Sequence, residues 1–166
     1  MNKEEILKEI SKTEEHLAAM KKMLEDCEYQ RWEPKKNEAY FYIASDGTVE
    51  QDWMVEEFAS VDKERYNFYN CFPSKSQAEL EAEKILIRRQ LEDIARRLNR
   101  GERIDWDNDA QIKYSIRFNY YQGIIELNGF VRQQFQGVIY CLDKNFLNTA
   151  IKEIGEGRLI EYLRGK

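Results

Sequence analysis

Histidine occurs once in 166 residues, at His16, and the chain holds only 2 prolines, 3 cysteines and 8 glycines. Each scarcity narrows the functions open to it. Acid–base and nucleophilic chemistry near neutral pH most often recruits a histidine beside Ser, Thr or Cys. His16 instead stands among charged residues in a helical pattern, as a solvated helix residue would. Cys27, Cys71 and Cys141 are far apart, odd in number and without a CxxC spacing, so neither a disulfide framework nor a zinc ribbon is expected, and a reducing cytoplasm fits. No run of about 18 apolar residues occurs and Met1-Asn2-Lys3-Glu4-Glu5 is polar, so no membrane span and no signal peptide are expected. The phosphate-cradling GxGxxG and GxxxxGK[ST] patterns and the GxSxG elbow are missing as well, and no cofactor is expected. Asp105-Trp106-Asp107-Asn108-Asp109 opens like a calcium loop, but Ala110 replaces the glycine of position six and Ile116 the glutamate of position twelve. No metal is expected either.

What is present describes a folded, acidic chain. Hydrophobic residues make up 42%, aromatics 13% and charged residues 34%, which excludes disorder and predicts a solvated, helix-rich surface. The net charge of -5 gives no global attraction to phosphate backbones or anionic lipid. With 31 Asp and Glu, pairing carboxylates into an acid–base dyad by sequence alone is uninformative.

The pivot of the chain is Asn70-Cys71-Phe72-Pro73-Ser74, where an aromatic segment stops at a proline and a helical pattern begins. Ser74 occupies an N-cap position with Gln77 three residues on, and helical spacing then continues from Lys75 to Asn99. Along that helix Ala78, Ala82 and Ile85 are suited to close packing on a sheet. The later stripe Ile87, Leu91, Ile94 and Leu98 steps by four, three and four. Residues 1–30 carry a similar seam at Ile6, Ile10, Thr13, Leu17, Met20, Leu24 and Cys27, which predicts a coiled-coil-like helix able to pack on the long helix or pair with a second copy.

Three β segments are predicted up to the pivot and four after it. Tyr40–Ile43 and Thr48–Val49 flank an Asp46-Gly47 turn, and a third strand is expected over Tyr66–Cys71. Ile112, Tyr114, Ile116, Phe118 and Tyr120 alternate with Lys113, Ser115, Arg117 and Asn119. Asn128-Gly129 reads as a two-residue hairpin turn between Ile124–Leu127 and Phe130–Phe135, and Val138–Leu142 leads into a last helix ending near Leu163. Trp32 to Trp106 and Tyr40 to Tyr114 are both 74 residues apart, which suggests a duplicated unit. The fold expected is α+β: an N-terminal helix (1–30), a first ββ(β)α module with the long helix (31–100) and a second ββ(β)α module (101–166).

Two surfaces are candidates for contact. Acidic residues interleaved with apolar ones, Glu50, Asp52, Trp53, Glu56, Glu57 and Phe58, can copy the charge and stacking of nucleic acid and occupy a basic groove on a partner. Arg88, Arg89, Arg96, Arg97, Arg100 and Arg103 offer an alternative nucleic-acid face, although Glu92 and Asp93 stand four residues from several of them and neutralise part of it.

Trp32-x-Pro34, Tyr40-x-Tyr42-Ile43, Asp46-Gly47-x-Val49, Asp62-x-x-Arg65, Asn70-x-Phe72-x-Ser74 and Glu79-x-x-Ala82 together resemble a pattern in small proteins of Firmicutes phages and prophages. The similarity spans Arg31 to Leu98. Its members usually carry glycine before the asparagine, where Tyr69 stands here. The resemblance implies a non-enzymatic anti-defence protein, such as an anti-CRISPR protein acting on a CRISPR effector nuclease in the cytoplasm of an infected or lysogenic bacterium. Its partner would be a host protein or protein–RNA complex. The alternatives are a nucleic-acid-binding accessory protein and a protein that sequesters a small nucleotide.

Overall fold

The computed structural model describes residues 31–54 and 60–165, together with 9, 12–14, 16, 17 and 20. The chain divides into two compact units, Met1–Glu33 and Pro34–Lys166. In the first, the described residues up to Met20 are helical and exposed, and the Thr13 hydroxyl donates to the Glu9 carbonyl at 2.8 Å. Ile6, Ile10, Leu24 and Cys27 of the expected seam lie outside the described residues.

The second unit is α+β. Strands β1 (Ala39–Ile43) and β2 (Val49–Trp53) pair antiparallel, with Tyr40 opposite Asp52 and Tyr42 opposite Glu50. Gly47 turns the hairpin at φ 89, and the Asp46 carboxylate accepts from the Thr48 N–H at 3.0 Å. Helices α1 (Ser60–Asn67) and α2 (Lys75–Asn99) follow. The Ser74 hydroxyl accepts from the Gln77 N–H at 3.4 Å, capping α2, and Arg100 ends the helix at φ 51 in the left-handed region. Strands β3 (Lys113–Asn119) and β4 (Ile124–Phe130) form a second antiparallel pair, and α3 (Phe146–Ile154) and α4 (Glu156–Arg164) close the chain.

Each hairpin gains one more extended residue from the segment that enters the next helix. Phe41 and Phe72 exchange both backbone hydrogen bonds at 2.9 Å, and Tyr114 and Cys141 exchange theirs at 2.7 and 2.8 Å. The long helix serves both sheets. Its first half packs on β1 and β2 with Ala78 fully buried, and its second half enters the main core. There Ile87, Leu91, Ile94 and Ala95 meet Ile116, Ile125, Cys141, Phe146, Ala150, Ile154 and Leu159. The stripe Ile87, Leu91 and Ile94 thus packs in one core with β3, β4, α3 and α4, and Leu98 lies against it.

Several expectations are corrected. Tyr66–Cys71 is no strand: Tyr66 and Asn67 end α1, and Phe72 alone bridges to β1. Asn128-Gly129 makes no turn; β4 runs straight through it, and the chain reverses over Tyr120–Gly123, with Gly123 at φ 73. The glycine is needed for close approach, because a Cβ on Gly129 would lie 3.1 Å from Ile112 Cγ2 and 3.6 Å from the Tyr114 ring opposite it. No strand forms over 131–135 or 138–142, where Cys141 supplies only the bridge.

The alternation in β3 also departs from expectation, since Lys113 and Ser115 are buried and Ile112 is exposed. Lys113 tolerates burial because its ammonium donates to the Asn108 and Val131 carbonyls at 2.9 and 3.0 Å and lies 5.4 Å from the centre of the Trp106 ring. The last helix is two helices, broken at Gly155 with φ 98 and ψ 138, a conformation that costs glycine little.

Candidate partner-binding surface

Side chains alternate across a strand, so β1 and β2 present two different faces. Tyr40, Tyr42, Glu50 and Asp52 share the face toward α1. The Tyr40 hydroxyl is hydrogen-bonded to the Asp62 carboxylate, and Arg65 Nη1 donates to Tyr40 Oη and to Asp52 Oδ2, both at 2.6 Å. The Arg65 guanidinium lies 3.5 Å from the centre of the Tyr42 ring, and the Tyr42 hydroxyl donates to Glu50. Burial, together with the bond to Asp62, pushes the Tyr40 hydroxyl pKa well up, so it remains a neutral donor. The Asp62-x-x-Arg65 spacing is thereby explained: one helical turn aims both groups at the two tyrosines.

This arrangement divides the acidic candidates. Glu50 and Asp52 are engaged by Tyr42 and Arg65, whereas Trp53, 56% exposed, belongs to the opposite face. Glu56, Glu57 and Phe58 lie outside the described residues. Of the arginines, Arg88 pairs with Glu92 at 3.0 Å, Arg96 and Arg97 pair with Asp93, and Arg97 also reaches Glu153 on α3 at 2.5 Å. Glu153 is the leading reason that the Arg97 pKa is raised. Arg89, Arg100 and Arg103 make no ion pair within 4 Å among the described residues.

A concavity lies on the α2 side of the first hairpin. It holds about 880 Å³ and is lined by the hairpin turn, by Phe68 to Asn70 with Phe72, and by α2 residues from Lys75 to Arg89. Ile43, Val49, Ala82, Ile85 and Leu86 contribute its apolar surface. Beside it stand two aromatics that the sequence had assigned to a strand. Phe68 is 83% exposed and Tyr69 is 74% exposed.

Their position is enforced. The Asn70 side chain brackets Ile43 as a strand would, accepting from its N–H and donating to its carbonyl, both at 2.8 Å. The Asn70 N–H bonds the Arg65 carbonyl at 2.8 Å. Between these anchors Tyr69 takes φ 59, in the left-handed region that disfavours bulky residues. The resemblance read from the sequence leads to an expectation of glycine at this position. A bulky ring therefore sits on backbone that glycine would occupy without strain, and it points largely into solvent.

Several polar groups elsewhere bond within the chain. The Cys141 thiol, hydrogen-bonded to Asn99 Oδ1 at 3.3 Å, has its pKa raised by burial, so it stays protonated. Asp109 is held by Arg132 at 2.5 and 2.6 Å, and Asp105 accepts from the Asp107 N–H at 3.0 Å. Among the described residues no three His, Cys, Asp or Glu side chains converge into a metal-binding group. No helix among them is long and apolar enough to cross a membrane. No family model, no curated protein and no solved structure matches the chain.

Proposed function

We propose that this is a non-enzymatic binding protein that covers a functional surface of another macromolecule with its first hairpin and the adjoining groove. One observation carries the reading. Phe68 and Tyr69 project together at the groove, on backbone fixed by Asn70 and strained at Tyr69. Exposed aromatics gain little in water, whereas aromatic anchors entering a partner's pocket supply most of the energy of an interface. Trp53 adds a third exposed ring, on β2. The resemblance to phage and prophage proteins supports a host defence complex as the target, with a CRISPR effector nuclease in the bacterial cytoplasm as the case to test.

The N-terminal helix contributes a coiled-coil seam through which two copies pair. The support is its four-three spacing and the exposure of Leu17 and Met20. The two ββ(β)α modules joined by α2 form the scaffold.

The test is phage plating on a bacterial host whose CRISPR effector targets that phage. Expression of the protein is expected to restore plaques at least a hundredfold, and unchanged plating contradicts the anti-CRISPR reading. Because Arg89, Arg100 and Arg103 lack ion pairs among the described residues, a nucleic-acid accessory role is the second reading. It requires DNA or RNA affinity that falls steeply as salt rises.

A further inference from the structure

We propose that the free edge of β4 is a self-association surface, where β4 of a second copy adds antiparallel and joins the two second hairpins into one continuous sheet. This goes beyond the reading of the first hairpin as a partner-binding surface and does not depend on it.

Hydrogen-bond direction along the second hairpin defines the edge. Tyr114 exchanges both backbone hydrogen bonds with Cys141, so its N–H and C=O point away from β4. It stands opposite Gly129, and facing pairs in an antiparallel ladder alternate between bonded and non-bonded. Gly129, Leu127 and Ile125 therefore turn their N–H and C=O groups outward, away from β3. None of these groups has a backbone partner among the described residues.

The edge is complementary to itself. A two-fold axis through Leu127 sets Ile125 opposite the second copy's Gly129, and every outward group then meets its counterpart. On the same register Glu126 faces Asn128 and Ile124 faces Phe130 across the junction. Glu126, the only charge in β4, is already held by Arg117 and Asn119, so no like charges meet. Exposed apolar residues lie at both ends of the strand, Tyr121 and Ile124 at the turn and Val131 beyond Phe130. The antiparallel arrangement brings one end to the other, covering both.

The first hairpin shows what a protected edge requires. There Phe41 exchanges its backbone bonds with Phe72 and stands opposite Gln51, so Val49, Gln51 and Trp53 face outward. Self-pairing about Gln51 would set Glu50 against Asp52 twice, and the Trp53 N–H is already donated to the Asp52 carboxylate at 2.9 Å. Edge strands of soluble proteins carry such guards against pairing. In β4 no lysine, proline or bulge interrupts Ile124–Phe130.

The experiment follows amide hydrogen exchange in the full-length protein over about a hundredfold range of concentration, with the dimer fraction of the same samples measured by sedimentation. The amides of Ile125, Leu127 and Gly129 are expected to exchange at least fivefold more slowly in step with the dimer fraction, while those of Val49 and Gln51 do not change. Asn128→Glu, which sets a carboxylate against Glu126 of the second copy, is expected to weaken dimerisation at least threefold, whereas Asn128→Lys is expected to retain or strengthen it.

Rapid exchange of the three amides at every concentration, their protection in the monomer, or a chain that stays monomeric throughout would overturn the proposal. So would equal effects of the two Asn128 substitutions. A dimer that leaves these amides unprotected contradicts it as well, and assigns association to the N-terminal helix or another surface. Exchange is read on the unsubstituted chain, so the outcome does not hinge on how the variants fold.

Discussion

Replacing Arg65 with methionine is expected to remove about 3–5 kcal/mol of stability, seen as a lower urea midpoint with an unchanged slope. Asp62 is 5% exposed, and Arg65 is the cation nearest to it, at 3.9 Å. Methionine keeps much of the packing volume but leaves a buried carboxylate with Tyr40 as its hydrogen-bond donor, and it takes away the group that links α1 to β2 through Asp52. Breaking one partner out of a buried charged network is costly because the remaining charge stays desolvated.

The change also alters the acid limb. Asp52 has its pKa lowered below the usual 3.8, chiefly by its hydrogen bond to Arg65. Its contribution is therefore present above that value and lost as pH falls through the folded one. That contribution is small, because the Asp52 side chain is 44% exposed and screened by solvent. In Arg65→Met this part of the acid loss should disappear. A midpoint within error of the parent protein would mean that α1 is not anchored through this network.

Phe146→Ala is expected to cost a similar amount, about 3–5 kcal/mol, by leaving a cavity where α2, β3, β4, α3 and α4 converge. Phe146 is fully buried and packs with Ile94, Leu91 and Ile116 in the main core. For a chain of this size the loss corresponds to a melting temperature lower by roughly 10 °C. Because α2 is continuous from Lys75 to Asn99 and packs on the first hairpin too, the damage should be felt beyond the second sheet. Trp53 fluorescence in the first hairpin and Trp106 fluorescence in the loop before β3, each isolated by replacing the other tryptophans with phenylalanine, should report one shared midpoint. Two separated transitions would show that the long helix does not couple the sheets.

What could be read from the sequence follows from where local and tertiary forces agree. Helix α2 was legible to the residue because Ser74, a run of strong helix formers and the four-three-four stripe all favour it. The first hairpin was legible because Asp46-Gly47 supplies both the Asx hydrogen bond and the positive φ of the turn. Helix α1 was not, because Ser60-Val61-Asp62-Lys63-Glu64-Arg65-Tyr66-Asn67 has almost no apolar face. What it buries is the Asp62–Arg65 pair, and hydrophobic periodicity has no signal for that.

Asn128-Gly129 misled because a strong local turn signal was overridden by the need for a small residue against Ile112 and Tyr114. Lys113 misled because its burial depends on carbonyls contributed by distant loops. The acidic candidates were identified as charged, but strand alternation sends Glu50 and Asp52 to one face and Trp53 to the other. Phe68 and Tyr69 were absent from the candidate surface because a strand assignment would have placed one of them in the core. The one available signal was Tyr69 itself, standing where the resemblance proposed from the sequence leads to an expectation of glycine.

That position offers the most direct test that the strained aromatic pair is the binding surface. Tyr69→Gly should relieve the left-handed backbone at little packing cost, since the ring is 74% exposed. After subtraction of glycine's larger unfolded-state entropy, it should stabilise the chain by about 0.5–1 kcal/mol. In the same variant, protection of phage in the plating assay should fall at least tenfold. A variant that is less stable than the parent yet fully protective would contradict the account.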